Sequence, residues 1–266
     1  MPPMRIGIIT GSGAYTLPEL EEATTKTVLT RFGAAELSTG HWHGVEVAHI
    51  SRHGEGHARL SSQVNHRANV LALREHAVDA VIGVTICGAL DPTLELGALV
   101  VFDDLYFLVN RLGDGSICTL HDEPGSPGRG HWVYDRPFSD PLRRTLLQGA
   151  AAAELQARDG GCYGHVDGPR FNTRAEIRML ASCGVSAVSQ TAGPETVLCG
   201  EAELPYALLG FVTDYANGVS PQPTPVSELT RLMGESAAAF SSTLAHTLRL
   251  LPRAPIASAG THIRWP

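Results

Sequence analysis

Apolar residues gather along this chain in short runs that break abruptly into small, hydroxyl-bearing or cationic residues, and three of the breaks are alike. Ile6-Gly7-Ile8-Ile9 runs into Thr10-Gly11-Ser12-Gly13, Val45-Glu46-Val47-Ala48-His49-Ile50 into Ser51-Arg52-His53-Gly54, and Ala80-Val81-Ile82-Gly83-Val84 into Thr85-Ile86-Cys87-Gly88. Short β-branched runs bounded in this way predict strands. Leu37–Ile50 reads as a strand pair around His43-Gly44, and further strands are expected at Ala98–Phe102, Gly161–Val166, Ala187–Ser189 and Ala207–Thr213. Helical spacing is found over 61–76, over 141–157 behind the start signal Ser139-Asp140-Pro141, and over 173–183, 194–202 and 225–250. The alternation of strand and helix predicts an α/β fold. Arg111–His131, rich in Gly, Pro, Asp and Ser, reads as a long surface loop, and the tail from Pro252 as peripheral.

Composition narrows the partners. The chain has 266 residues, 28.3 kDa and 43% apolar content, enough for one large domain or two small ones. A net charge of -7 and a pI near 5.9 argue against nucleic acid or an anionic membrane as partner, because either needs a basic face. An anion must instead be held in a local pocket. Lys26 is the only lysine, so cationic work falls to arginine. Cys87, Cys118, Cys162, Cys183 and Cys199 are widely spaced with no CxxC pair, which fits a reducing cytoplasm. No stretch has the length of a membrane helix, and the N-terminus lacks a signal-peptide layout, so export is not expected.

The three strand ends carry the first chemical reading. Backbone N–H groups freed where strands stop, hydroxyls, and an arginine able to grip two oxygens are what an oxyanion needs in place of water. Taken singly the signals stay open. Gly11-Ser12-Gly13 lacks the third glycine of a dinucleotide fingerprint, since position 16 is Thr, and also lacks the Lys-Ser/Thr pair of a Walker loop. It serves equally as a plain strand-to-helix turn. His53 and His57 are four apart but separated by glycines, and His41 and His43 have no third ligand, so no metal is expected. Thr173 and Glu176 have the spacing of a capping box, which leaves Phe171 in the preceding turn free to stack on a flat ligand. Asp214 closes the run Ala207–Val212, at a strand end where ligands collect in α/β proteins and where helix caps also occur.

In this order, Gly11-Ser12-Gly13, Arg52-His53-Gly54, Val64-Asn65-His66-Arg67-Ala68-Asn69, Thr85-Ile86-Cys87-Gly88, Gly168-Pro169-Arg170-Phe171, Thr191-Ala192-Gly193-Pro194-Glu195 and Thr213-Asp214-Tyr215 resemble the trimeric purine nucleoside phosphorylases, especially their methylthioadenosine phosphorylase branch. The resemblance implies a single domain over residues 1–252, with a central mixed β-sheet flanked by helices, followed by a tail over 253–266. It also implies a homotrimer. By the same carry-over, phosphate is bound by Ser12, Arg52, His53, Thr85, the Ile86 amide and Thr191. Phe171, Gln190 and Asp214 face the nucleoside, Leu229 and Met233 line an apolar wall, and His131 is lent to a neighbouring subunit's 5′ pocket.

The implied reaction is phosphorolysis of a purine nucleoside, with inorganic phosphate as co-substrate and no cofactor. Phosphate attacks C1′ as the bond to N9 breaks, so the enzyme supplies orientation and neutralises charge on the leaving purine. Asp214 is the catalytic candidate: a protonated carboxyl donates to N7 while its other oxygen accepts from a 6-amino group, which favours adenine. The chain departs from the branch at Gln190, Asn172 and Ala216, where Met, a small residue and a second Asp are usual. The expected substrate is methylthioadenosine or an adenosine with another 5′ substituent, a halogen included. The alternatives are a 6-oxopurine phosphorylase, a hydrolytic nucleosidase and a non-catalytic nucleotide-binding module.

Overall fold

The computed structural model describes residues 4–252 and 255–266. Residues 1–3 and 253–254, the latter the first two of the tail expected over 253–266, lie outside the described residues. In chain order the elements are β1 (Arg5–Thr10), β2 (Glu21–Thr30), β3 (Gly33–Trp42), β4 (Val45–Ser51), α1 (His66–Glu75), β5 (Ala80–Ala89), β6 (Leu99–Val101), β7 (Asp104–Tyr106) and β8 (Gly130–Val133). They continue with α2 (Asp140–Ala152), β9 (Ala157–Asp159), β10 (Cys162–His165), α3 (Arg174–Ser182), β11 (Val185–Ser189), α4 (Ala192–Glu201), β12 (Tyr206–Tyr215), α5 (Val226–Leu250) and β13 (Thr261–Arg264).

β5 organises the sheet because it has three neighbours. Its first half pairs in parallel with β1, its whole length with β12, and its last residues antiparallel with β11, Ala89 opposite Ala187 and Gly88 opposite Val188. The main path is β2-β3-β4-β1-β5-β11-β10-β7, and β12, β6 and β9 branch from it. The result is a mixed sheet flanked by helices, as expected. Burial on both faces explains why the central strands are apolar at nearly every position. Along β5, Ala80, Ile82 and Val84 join Leu142, Leu146, Phe240 and Leu244 of α2 and α5 on one face. Val81, Cys87 and Ala89 join Val70, Leu73 and Leu198 of α1 and α4 on the other. Leu198 and Phe240 are 0% and 1% exposed, and burial of a side chain of that size contributes about 1.5–3 kcal/mol.

Several boundaries differ from the sequence pattern for identifiable reasons. β2 was not anticipated: it is solvated along nearly all its length, so it lacks the apolar alternation that marks a half-buried strand, and its Thr24 and Thr25 pair with Thr39 and Ser38 of β3. The helix expected over 61–76 begins with a separate 3₁₀ turn at Ser61–Gln63; α1 then starts behind Asn65, whose side chain accepts from the Ala68 N–H. The helix expected to reach 157 stops at Ala152, and β9 follows. Arg111–His131 is irregular until β8, apart from a bridge between Arg111 and Ile117. The tail supplies β13, which pairs antiparallel with β8 and sets Ile263 opposite His131.

Candidate active site

Parallel strands β4, β1, β5 and β12 end on the same side, and that edge opens into a cavity of about 310 Å³. Ser12, Arg52, His53, Thr85, Ile86, Gln190, Thr191, Phe171, Asp214, Leu229 and Met233 all line it. Eleven of the twelve singled-out residues therefore converge. His131 does not: it is exposed beside Tyr106, Leu108 and Trp132, in a separate groove of the same chain.

Each residue reaches the cavity for a local reason. The Arg52 N–H bonds the Thr10 carbonyl at 3.0 Å, which stitches the end of β4 to that of β1. Gly11 is required beside it, because a Cβ there would stand 2.3 Å from Arg52 Nη1. Thr191 precedes α4, but its hydroxyl makes no capping bond to the helix. A register shift in β12 between Val212 and Asp214 brings Asp214 opposite Gly88, where a Cβ would lie 3.0 Å from the Asp214 Oδ2. The Thr173–Glu176 capping box forms as expected and opens α3, so Phe171 stands in the turn before it, 62% exposed.

Electrostatically the cavity has two different ends. Arg52 and Glu195 are each 1% exposed. Arg52 donates from Nε and Nη2 to Glu195 at 2.6 and 2.9 Å, from Nη1 to the Val84 carbonyl at 2.8 Å, and from Nη2 to the Ile9 carbonyl at 3.4 Å. A guanidinium has five N–H groups, so one on Nη1 remains. Burial opposes the Arg52 charge, yet the Glu195 carboxylate outweighs it and the pKa rises above its ordinary value. Tyr206 donates to the same carboxylate at 3.0 Å. Burial first, then the Arg52 charge, lowers His53 to about 4. At the opposite end burial raises the Asp214 carboxyl, opposed by a hydrogen bond from the Thr213 hydroxyl at 2.9 Å.

Gln190 is held on both sides: its Oε1 accepts from the Ser61 hydroxyl at 3.0 Å and its Nε2 donates to the Arg170 carbonyl at 3.3 Å. Asn172 and Ala216 lie in the same wall with Asn217, whose amide donates to the Asn172 carbonyl at 2.7 Å. Sequence reasoning missed Ser189, whose hydroxyl pairs with that of Thr85 at 3.0 Å, and the cavity-lining His57, which stacks on His53 with centroids 4.2 Å apart. It also missed the task of Glu195, although the residue stands in a quoted motif. Ser189 was within reach as the last residue of an expected strand.

Comparison with known proteins finds similarity along nearly the whole chain. A family model described as the phosphorylase superfamily matches residues 5–249. A probable 6-oxopurine nucleoside phosphorylase of Thermococcus kodakarensis is 32% identical over 253 residues, covering 94% of this chain and 93% of the relative. A probable S-methyl-5′-thioinosine phosphorylase of Xylella fastidiosa is 34% identical over 220 residues, covering 82% and 91%. Among solved structures, the methylthioadenosine phosphorylase of Schistosoma mansoni in complex with adenine superposes with a TM-score of 0.84 at 27% identity, covering 93% of this chain and 91% of that one. Among the described residues, no helix is long and apolar enough to cross a membrane.

Proposed function

Because the chain belongs to the phosphorylase superfamily, we propose that the cavity phosphorolyses a purine nucleoside carrying an apolar 5′ substituent, releasing free base and a sugar 1-phosphate. The observation that carries this reading is the convergence of Ser12, Arg52, His53, Thr85 and Thr191, drawn from four distant segments, on the cavity that also contains Asp214 and Phe171. Phosphate takes the end where the strands stop. It bonds the three hydroxyls, the Ile86 amide and the remaining Arg52 N–H, and the N-terminal end of α4 adds a favourable dipole. No enzyme nucleophile and no cofactor are needed.

Holding phosphate against C1′ turns a bimolecular encounter into an oriented one, an advantage of several kcal/mol, about 7 or more in well-aligned cases. Asp214 handles the leaving group. Burial favours its protonated form, which donates to N7 as electrons flow from the breaking C1′–N9 bond into the purine. Its second oxygen accepts from a 6-amino group. Phe171 covers a flat face of the nucleoside, Gln190 uses its remaining hydrogen-bonding capacity near the ribose hydroxyls, and Leu229 and Met233 contact the 5′ substituent. The exposed position of His131 suits a residue given to a neighbour's 5′ pocket in a homotrimer, and the enzyme works in the cytoplasm.

A second reading, a 6-oxopurine substrate, is favoured by the base end itself. There Asn172 and Asn217 present carboxamides, and Ala216 stands where a second carboxylate is usual. The names of the Thermococcus and Xylella relatives point the same way. Base release from adenosine, methylthioadenosine, inosine and methylthioinosine, with and without phosphate, separates the readings. Phosphate-dependent release greatest with a 5′-thio-adenosine supports the first; greater release from the inosines supports the second. Equal release without phosphate rejects phosphorolysis.

A further inference from the structure

The strand that carries His131 takes its pairing from the tail. Among the described residues, β8 pairs only with β13: Thr261 stands opposite Val133, His262 opposite Trp132, Ile263 opposite His131 and Arg264 opposite Gly130. The ladder continues past the last pair. The Trp265 N–H donates to the Arg129 carbonyl at 2.8 Å, and the Gly128 N–H to the Trp265 carbonyl at 3.2 Å. The family match ends at residue 249, so one of the two strands lies beyond the matched stretch.

A two-stranded ribbon alone is marginal in water, and this one is tied down at three places. Ile256, 8% exposed, joins the core with Leu142 and Leu146 of α2. Trp132 donates from Nε1 to the Ala259 carbonyl at 2.8 Å, and its ring packs on Gly200 of α4. Arg264 pairs with Glu203 in the turn after α4, and His262 Nδ1 lies 3.6 Å from the same carboxylate. Alternation along the strands then decides the free face. Trp132 and His262 turn toward the protein, so His131, Val133, Ile263 and Trp265 share the outward side, the last three 48%, 49% and 46% exposed.

On that face Trp265 is the diagonal neighbour of His131, a separation that aromatic side chains bridge. The two rings meet T-shaped, with centroids 6.1 Å apart and planes at 88°. Such pairs are favoured by the charge pattern of the rings and fix their mutual orientation. An imidazole left free on an exposed ribbon would lose its rotamer freedom only on meeting a ligand, which weakens binding. Resting on the reading that His131 enters a neighbouring copy's 5′ pocket, the geometry points to Trp265 as the positioning residue for His131: the tail completes the ribbon, and the indole holds the imidazole ready for the 5′ substituent. Trp265 does not line the active-site cavity of its own chain. Its influence on the nucleoside passes through His131.

The test is a double-mutant cycle on the full chain, comparing wild type, Trp265→Ala, His131→Ala and the double variant. The substrate is methylthioadenosine or methylthioinosine, whichever wild type cleaves faster with phosphate. Trp265→Ala is expected to raise the nucleoside KM about three- to tenfold, the scale of one aromatic pair, and to move kcat and the KM for phosphate far less. Added to His131→Ala, it is expected to change the KM no further. Trp265→Phe, which keeps an aromatic ring, should stay near the wild-type KM. Sedimentation of each variant reports the assembly. A wild-type KM in Trp265→Ala beside a raised one in His131→Ala overturns this proposal alone. So do independent effects that multiply in the double variant, or a raised KM that accompanies dissociation of the assembly. If Trp265→Ala does not fold, Trp265→Leu takes its place in the cycle, keeping apolar bulk without the ring. A normal KM in His131→Ala, or a wild type that cleaves neither nucleoside, sinks the reading beneath it.

Discussion

Replacing Glu195 by glutamine keeps the shape of the side chain and removes its charge from a place water does not reach. In the wild type the carboxylate accepts from Arg52 Nε and Nη2 and from the Tyr206 hydroxyl, at 2.6, 2.9 and 3.0 Å. A carboxamide has one acceptor oxygen, so at least one Arg52 N–H then faces an NH2 group, and the guanidinium is left buried without a counter-charge. Breaking one side of a buried pair costs about 3–5 kcal/mol. The Val84 and Ile9 carbonyls still hold Arg52, which places the expected loss toward the lower end of that range. Urea unfolding at fixed protein concentration, read as a shift in midpoint at unchanged slope, measures it. Phosphate sharpens the assay: in Glu195→Gln the bound anion becomes the counter-ion, so added phosphate should raise the unfolding midpoint more than in wild type. A loss below about 1 kcal/mol, or an equal phosphate effect in both proteins, refutes the claim that Glu195 neutralises Arg52.

Asp214→Asn is expected to shift kcat/KM from adenosine-type toward inosine-type nucleosides, and unchanged relative values reject its role at the base. The same variant has a stability signature. The Asp214 pKa is raised from 3.8, so as pH rises the unfolded chain releases this proton first and wild-type stability declines up to the raised value; above it the Asn variant should be the more stable in melting experiments. Burial lowers His49 to about 4 and His165 to about 3 from 6.5, so the stability tied to their neutral forms is present above pH 6.5 and lost as pH falls through those values. Melting temperatures recorded from pH 7 downward should fall less steeply in His49→Asn, and identical slopes contradict this. His131→Ala should raise KM for 5′-modified nucleosides and leave phosphate affinity alone; a normal KM removes it from any 5′ pocket.

The phosphate end of the site was legible in the sequence because apolar runs lead into its parts, although only Ser12 and Arg52 follow strand ends; β5 continues past Thr85 and Ile86 to Ala89, so the break expected at Thr85 is not a strand end. Ile6–Ile9, Val45–Ile50 and Ala80–Val84 set Ser12, Arg52 and Thr85 side by side through parallel pairing alone. The base end was less so. The position of Asp214 depends on the shift in β12 after Val212, a backbone irregularity with no local residue signature. β2 escaped because a strand wet on both faces has no period to detect. Glu195 escaped for a different reason: in sequence it is an acidic residue in the first turn of a helix, an ordinary place for one. Its partner Arg52 stands 143 positions away, and only folding turns that carboxylate into the counter-ion of the site. The sequence pattern also left the tail as an end without a task, since its pairing with β8 is a contact between distant segments.

The central claim concerns which oxygen arrives at C1′. Incubating the enzyme and its nucleoside with phosphate labelled in its oxygens by 18O, then analysing the sugar product by mass spectrometry, answers this directly. The account predicts a sugar 1-phosphate that retains every label, formed in step with free purine. A free sugar whose anomeric oxygen comes from water would contradict it.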